Sequence, residues 1–380
     1  MPNYSILHKQ DIFITEKYEP DIRRDELSFL SRSFERHFNE RPYLHHTCYL
    51  FLTKTTKERS RQQSNWNTLC RGFLVPKEIR DKETVERFME AVGQFESIVN
   101  DSGLVKLERL TTEEITGTES EPGIIERYLT LSADGSRMLQ DMQLNPDEMR
   151  IGDKRLCLHT LSDLDDLPGK VRTDGRYERL STDRSDCRLS HAAPVGVMLP
   201  CDHIYNQWIF IDDSNENLSR FEKAAKNMQS LSRYSRSNQI NKEWLDEYLN
   251  EAHSNGLQSI RCHCNVIAWA ENGEELRRVK NDVGSALALM ECTPHHNTTD
   301  LPAVYWAGIP GNEADFPSEE TFYTFTGQAL CFFTAETCYR NSLSPFGIRM
   351  VDRLTGKPVF LDISDLPMKK GVVTNRNKFI

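Results

Sequence analysis

The sequence has no long hydrophobic run and no export signal. None of its apolar stretches approaches the ~20 residues that a membrane-spanning helix needs, and the polar start after Met1 is unlike a secretory signal peptide. The mean hydropathy is -0.59 and 27% of the residues are charged, as is typical of a soluble globular protein. We therefore predict a protein that is made and stays in the cytoplasm.

The sequence also lacks the motifs of the common catalytic sites. There is no G-x-x-x-x-G-K-[ST] phosphate loop, and there is no G-x-S-x-G nucleophile motif. The Gly-Lys pairs at 169–170 and 356–357 lack the leading glycine and the hydroxyl residue that should follow. We therefore predict no catalytic and no cofactor-binding residues in this chain.

Two acidic patterns imitate catalytic sites but have simpler interpretations. The stretch "QWIFIDD", residues 207–213, resembles the strand that positions magnesium in P-loop NTPases, yet that chemistry requires the missing phosphate loop. We interpret Asp212, Asp213 and Ser214 as the cap of the next helix. The adjacent acids at 113–114 and 319–320 are interpreted as helix-opening residues that complement the helix dipole.

The cysteines follow no zinc-finger or disulfide-framework spacing. The chain has ten, which are scattered through apolar segments and predicted to be mostly reduced, buried thiols: Cys48, Cys70, Cys157, Cys187, Cys201, Cys262, Cys264, Cys292, Cys331 and Cys338. A structural zinc site is the alternative for Cys262, His263, Cys264, Cys292, His295 and His296. We predict no metal site, because the side chain of His263 should lie on the opposite sheet face from those of Cys262 and Cys264.

The net charge of -10 argues against generic binding to nucleic acid. Two basic stretches, 54–61 and 230–242, could still bind phosphate, so a nucleic-acid-binding module acting through these loops stays open as an alternative function. A polar segment between the two halves of the chain is dense in charges of both signs. Its length predicts either a solvated loop or a surface that binds a partner, with Arg179, Arg184 and Arg188 as candidate docking residues.

The hydrophobic periodicity predicts an α+β fold of two small α/β lobes, over 1–150 and 151–340. The first should contain the strands "YSILHKQDIFI", "TCYLFLT" and "LVKLERL" with two helices between them; the second should contain "HIYNQWIFI", "SIRCHCNVIAWA" and "LPAVYWAGI" with three. Each lobe could close as a ferredoxin-like sheet. A strand-rich segment, 346–380, follows, with a hairpin whose turn contains Gly356.

Six stretches carry a resemblance to a known family: "PNYSILHKQD", "SFLSRSFERHFNERPYLHHTCYLFLTKTTKER", "RYERLSTDRSDCRLS", "SLSRYSRSNQINKEW", "IPGNEADFPSE" and "SPFGIRMVDRLTGKPVFLDISDLPMKKGVVTNRNKFI". On these the chain resembles the N-terminal region of the TraG-type conjugation-system ATPases of Bacteroides-like conjugative elements, in the type IV secretion ATPase family. In that family the strand ending in "NKFI" leads into the Walker A loop of a RecA-like core, so the resemblance implies a chain truncated just before that loop.

The resemblance carries further expectations. It implies an interaction and oligomerisation region of a conjugative DNA-transfer motor, bound at the inner membrane through other proteins of the secretion machinery. The ATP and magnesium sites of the family would lie beyond Ile380, so this chain alone is predicted to be inactive. Residues 346–380 would begin the RecA-like domain and be the least stable part, with Phe360, Leu361 and Phe379 short of packing partners.

Overall fold

The computed structural model describes residues 4–18, 29–39, 41–55, 81–132, 140–145, 148–171, 175–231, 234–296, 299–336, 341–342 and 348–375. Its strands are β1 (Tyr4–Lys17), β2 (Pro42–Thr55), β3 (Met142–Leu144), β4 (Met149–Ile151), β5 (Lys154–Leu161), β6 (His203–Ile211), β7 (Ser259–Ala270), β8 (His295–His296), β9 (Phe322–Phe325), β10 (Ile348–Val351) and β11 (Pro358–Leu361). Its α-helices are α1 (Phe29–Phe38), α2 (Lys82–Asp101), α3 (Thr112–Thr116), α4 (Ile124–Thr130), α5 (Ser214–Leu231), α6 (Arg236–Asn255), α7 (Gly273–Leu289), α8 (Leu301–Ala307), α9 (Thr326–Leu330) and α10 (Asp365–Lys369).

Nine of these strands form one antiparallel sheet. Its order is β2-β1-β6-β7-β5-β4-β3, with β8 also paired to β5 and β9 to β7. The strand β1 lies between β2 and β6, and His8 is in register with Phe51 on one side and Trp208 on the other. Strands from both halves of the chain therefore share one sheet, and the predicted α+β class is confirmed.

The two sheet faces bury different residues because successive side chains of a strand point in opposite directions. The face that carries His8 is covered by α4 and α8, and its core includes Trp208, Ile267 and Phe316. The face that carries Lys9 is covered farther along the sheet by α7, whose Val283 packs against the strands. Both faces of β1 are thus buried, so that the four successive polar residues at its centre, 8–11, are all enclosed by the fold.

A reciprocal pair of tyrosines holds α4 against α8. The hydroxyl of Tyr128 donates to the backbone carbonyl of Tyr305 at 2.8 Å. In return, the hydroxyl of Tyr305 donates to the backbone carbonyl of Tyr128 at 2.9 Å. The two rings stack with centroids 4.8 Å apart. Each buried hydroxyl is satisfied by the helix that the other ring belongs to, so the helices are joined by polar as well as apolar contacts.

Three helix boundaries are defined by their caps, and the one at Asp213 was predicted from the sequence. The Asn272 side chain accepts the backbone N–H of Glu275 at 2.8 Å and starts α7. The side chain of Asp213 accepts the backbone N–H of Asn215 at 3.0 Å at the start of α5. At the end of α6, Gly256 adopts φ +60°, a left-handed conformation in which a side chain is disfavoured.

The predicted strand "LVKLERL" is wrong. Residues 104–110 form no strand, and they run back beside α2, where the Asn100 side chain bonds the backbone N–H and C=O of Leu107 at 2.6 and 3.3 Å. A side chain thus takes the place of a neighbouring strand. Leu104 is 89% exposed, so the apolar residues that suggested a strand do not form a core face.

The predicted strand "LPAVYWAGI" is also wrong, because its first seven residues form α8. Pro302 is in the first turn, where its missing N–H costs no helical bond. Leu301, Val304 and Tyr305 are buried on one side at helical spacing. Each predicted lobe thereby loses a strand. The remaining strands merge into one sheet in place of two ferredoxin-like ones, and the domain boundaries at 150 and 340 stay predictions.

Candidate functional site at the C-terminal hairpin

The predicted C-terminal hairpin forms. β10 and β11 pair antiparallel, with Ile348 opposite Leu361 and Val351 opposite Pro358. The carboxylate of Asp352 accepts the backbone N–H groups of Leu354 and Thr355 at 2.8 and 2.9 Å and fixes the connecting turn. Gly356, with φ +75°, closes it as the sequence predicted.

Arg349 connects this hairpin to α1. Its guanidinium donates to the carboxylate of Glu35 at 2.5 Å, and the hydroxyl of Tyr18 donates to the same carboxylate at 3.1 Å. The guanidinium also lies 5.4 Å from the ring centroid of Phe34 and 4.7 Å from that of Phe360. A charged hydrogen bond between aromatic rings is shielded from water, so this contact is a strong link between the hairpin and the N-terminal elements.

The expectation that Phe360 would lack packing partners is wrong. Phe360 is only 4% exposed and meets the ring of Phe34 edge-on at 5.7 Å, while Val359 beside it is 3% exposed. The apolar side of the hairpin is covered by α1, which the sequence placed far away along the chain. Phe379 lies outside the described residues.

A second set of contacts joins the hairpin turn to β2. The backbone N–H of Leu44 donates to the carbonyl of Thr355 at 3.1 Å. This bond fixes the hairpin turn against β2, the outer strand of the sheet. Lys357 Nζ lies 3.4 Å from His45 Nδ1. Burial lowers the pKa of His45; the carboxylate of Glu16 opposes this shift, and the charge of Lys357 adds to it. The neutral ring can therefore accept a hydrogen bond from Lys357.

A cleft of about 670 Å³ lies between the sheet and the hairpin, and Lys17, Lys154, Asp202 and Lys357 are among its lining residues. Lys154 donates to the last carbonyls of α4, at 2.9 Å to that of Thr130. Asp202 accepts the backbone N–H of Thr15 at 2.8 Å. These bonds hold the walls of the cleft together, so we interpret it as part of a structural junction between the sheet and the hairpin.

The described chain contains one cluster that imitates a catalytic triad. Asp11 accepts hydrogen bonds from Lys9, from His46 Nε2 at 2.9 Å and from the hydroxyl of Thr334 at 2.8 Å. The side chains of Asp11 and His46 are only 1% and 2% exposed, so a substrate could not reach them. We interpret the cluster as a buried ion pair that joins β1 to residue 334. The sequence carries a signal of this cluster, because opposite charges two residues apart share one face of a strand.

The predicted zinc alternative does not assemble. Cys262 and Cys264 lie on one face of β7, and His263 on the other face approaches the carbonyl of Glu320 at 2.6 Å. Within the described residues, the one group of His, Cys, Asp and Glu side chains close enough to share a metal ion is Asp163, Asp166 and His295. Its central carboxylate, that of Asp166, already accepts two backbone N–H groups and pairs with His295 Nε2 at 2.7 Å.

The eight described cysteines are unbridged, and four of them are buried: Cys157, Cys262, Cys264 and Cys292. Cys48 is exposed on β2, while Cys70 and Cys338 lie outside the described residues. Burial raises the pKa of the Cys264 thiol to about 12 and that of Cys157 to about 11. These thiols are protonated at neutral pH and are poor nucleophiles.

The acidic patterns have the structural roles that the sequence predicted, except that Asp212 does not cap α5. Glu114 and Thr111 form a capping box at the start of α3, and Glu319 opens a short 3-10 turn. Asp213 caps α5, as described above, whereas Asp212 forms an ion pair with Arg261 at 2.8 Å. The sequence did not predict this ion pair, because its partner lies 49 positions away on the neighbouring strand β7.

The predicted docking arginines lie in a loop that folds on itself. The backbone N–H of Tyr177 donates to the carbonyl of Cys187 at 2.8 Å, and that of Thr182 donates to Ser185 at 2.8 Å. Arg179, Arg184 and Arg188 are all exposed, and Arg188 approaches Asp186 at 3.4 Å. The three arginines therefore lie at the surface of one ordered loop, and their role in docking stays a prediction.

Of the two basic stretches, 54–61 lies mostly outside the described residues, and 230–242 is largely contained in α5 and α6. Tyr234 between those helices is 84% exposed.

Within the described residues, no helix combines the length and apolarity that crossing a membrane requires.

The fold and junction define a mixed α+β protein whose N-terminal sheet binds the hairpin of a C-terminal segment. Comparison with protein families identifies that segment: residues 347–380 match the family model described as the TraG P-loop domain. The match covers β10, β11 and α10 and bears out the resemblance to TraG-type conjugation ATPases over these residues. A comparison with curated proteins gave no match.

Proposed function

We propose that this chain is the N-terminal interaction and oligomerisation region of a conjugative DNA-transfer ATPase of the TraG type. The observation that carries the proposal is the packing of the TraG P-loop segment on α1 and β2, through Arg349 and Phe360. A hairpin from a motor domain that is bound this tightly moves together with the sheet beneath it. The N-terminal region would therefore position the motor and pass movement between it and other proteins.

The proposed partners are other proteins of the conjugation machinery at the inner membrane, and the chain would be a cytoplasmic protein held there through them. The exposed loop with Arg179, Arg184 and Arg188 supports this, because charges at a rim set the rate and specificity of association. The chain itself would contribute no nucleotide hydrolysis. Its parent protein would supply ATP and magnesium chemistry from residues that this sequence does not contain.

A mating assay tests the proposal. The gene that encodes the chain is deleted from a donor strain, and the transfer of the mobile element to a recipient is counted before and after complementation. We expect transfer to be lost on deletion and to be restored by the natural gene. The same gene with Arg353→Ala, which alters an exposed residue of the hairpin, should restore it equally well. Complementation with Arg349→Ala should be poorer. Normal transfer in the deletion strain would overturn the proposal.

A further inference from the structure

The helix α2 has an apolar seam that the described chain does not fully bury. Five of its apolar residues follow each other in steps of three and four, as in a coiled coil: Val85, Phe88, Val92, Phe95 and Val99. None of its residues is buried by the described part of the chain, and Val85 and Met89 are 37% and 47% exposed. A helix of 20 residues with such a seam is unusual on the surface of a monomer.

The spacing of the seam indicates what kind of surface fits it. Steps of three and four along five apolar residues match the knobs-into-holes packing of another helix, and the apolar residues Met89, Ala91 and Ile98 flank these five. The residues at the first heptad position are all valine, and those at the fourth are all phenylalanine. The occupant must therefore be a helix that accepts a regular alternation of small and large side chains.

A second copy of α2 running in the opposite direction meets this requirement. Antiparallel pairing places Val85 against Phe95 of the other copy and Phe88 against Val92, so that each of the four layers these residues form contains one valine and one phenylalanine, and Val99 lies beyond them. Parallel pairing would instead place phenylalanine against phenylalanine and valine against valine. Layers with two large side chains, which are overfilled, would then alternate with layers of two small ones, which are underfilled. The size pattern thus selects the antiparallel arrangement.

The flanking residues agree with this orientation. In the antiparallel pair Met89 lies beside its own counterpart, and Ala91 does the same on the other flank, where a small side chain allows the helices to approach. Lys82 lies opposite Glu96 of the other copy. Glu96 Oε2 already pairs with Arg109 at 2.6 Å, so Lys82 would approach the other carboxylate oxygen.

We infer that α2 is a self-association surface through which two copies of this chain pair antiparallel. The inference rests on the proposed function and deepens it, because it gives the oligomerisation part of that function a defined surface. An interface of one helix pair is small, so the dimer should form reversibly as the protein concentration rises.

Sedimentation velocity on the full chain is the first test. We expect the natural protein to shift from monomer to dimer with concentration, and Val92→Glu to remain monomeric at every concentration at which the natural protein dimerises. Ser97→Glu, on the opposite side of the same helix, is the matched control and should dimerise normally. A natural protein that stays monomeric would overturn the inference without affecting the mating assay, which reports on the proposed function separately.

Photo-cross-linking keeps the orientation testable even if Val92→Glu disturbs folding. Phe95→benzoylphenylalanine is prepared in a mixture of light and ¹⁵N-labelled chains, and the cross-linked peptides are identified by mass spectrometry. We expect cross-links between light and heavy chains that join position 95 to the peptide containing Val85. Cross-links to position 95 of the other copy, or only within one chain, would overturn the antiparallel pairing.

Discussion

Arg349 and Glu35, separated by 314 positions in the sequence, form a hydrogen-bonded ion pair in which both side chains are largely buried, with 17% and 9% of their surfaces exposed. The pair lies between α1 and the segment that matches the TraG P-loop domain, with the ring of Phe360 packed against the guanidinium. Because the hairpin is only two short strands, it would be marginal on its own. Its order therefore depends on this contact with the N-terminal region.

Replacing Arg349 tests how far the hairpin depends on that pair. Arg349→Ala leaves the Glu35 carboxylate buried, with Tyr18 as its remaining side-chain partner among the described residues, and we expect the free energy of unfolding to fall by about 2–3 kcal/mol. Urea denaturation measures the loss, and hydrogen exchange should show faster exchange over 348–361. The control Arg353→Ala, at an exposed position, should change little. Equal stability of the two variants would contradict the prediction.

Buried histidines should make the protein sensitive to mild acid. Burial is the main cause that lowers the pKa from 6.5 to about 3 for His8 and His263, and to about 4 for His159 and His203. The unfolded chain binds these protons first, so stability is complete above the unfolded pKa and is lost as the pH falls below it. Each histidine should reduce the free energy of unfolding by ~1 kcal/mol by about pH 5.5.

Urea denaturation between about pH 7 and about pH 5 measures this loss. His159→Phe should flatten the pH dependence by the share of one histidine. His253→Gln is the control, because the side chain of His253 is 57% exposed on α6. If both variants keep the slope of the natural protein, His159 does not titrate as its burial requires.

The Asp11 cluster should act in a more acidic range. Burial alone would raise the pKa of Asp11, but the hydrogen bond from His46 and the charge of Lys9 outweigh it and lower the pKa from 3.8 to about 2. A carboxylate with a lowered pKa stabilises the fold above its unfolded pKa, and that stability is lost as the pH falls from 3.8 towards 2. We expect Asp11→Asn to lower stability at neutral pH and to remove about 2 kcal/mol of the loss between those two values.

Denaturation curves of the natural protein and of Asp11→Asn, compared across the acid range, check this expectation. Asp352→Asn is a suitable control, because Asp352 only fixes the turn of the C-terminal hairpin. Parallel pH profiles for the natural protein and Asp11→Asn would show that the cluster is not ionised in the folded state.

The chain is predicted neither to bind nor to hydrolyse ATP. The sequence contains no G-x-x-x-x-G-K-[ST] loop, so the backbone N–H groups and the lysine that hold the phosphates in such sites are missing. Calorimetric titration with magnesium-ATP should give no heat of binding above dilution. Saturable binding in the micromolar range would refute the prediction.

The docking role of the charged loop is tested by reversing Arg179, Arg184 and Arg188 to glutamate. All three are exposed, so the substitutions should leave the thermal midpoint nearly unchanged. We expect less DNA transfer and less recovery with the membrane fraction, because the charge complementarity with a partner is lost. The control reverses Lys369 and Lys370, two basic residues of the C-terminal segment. Normal transfer and membrane recovery in the triple variant would leave only a solvated loop.

Long elements with a clear period were predictable from the sequence. The strand "SIRCHCNVIAWA" and the helix that Asn272 opens both form as expected, because period, cap and length indicate the same element. The segments "LVKLERL" and "LPAVYWAGI" were predicted wrongly for the opposite reason. A short apolar run fits either period, and what decides is whether a neighbour is available to pair with it.

The sequence by itself determined the family resemblance of the C-terminal segment, the α+β class and the local caps and turns, because each depends on residues close together in the chain. Only the tertiary structure decided that the strands of both halves form one sheet, that Lys9 and Asp11 are joined to Thr334, and that Arg349 is bound by Glu35. Such contacts join residues that are hundreds of positions apart. Neither partner leaves a local pattern that identifies the other, since the pairing is set by how the whole sheet packs.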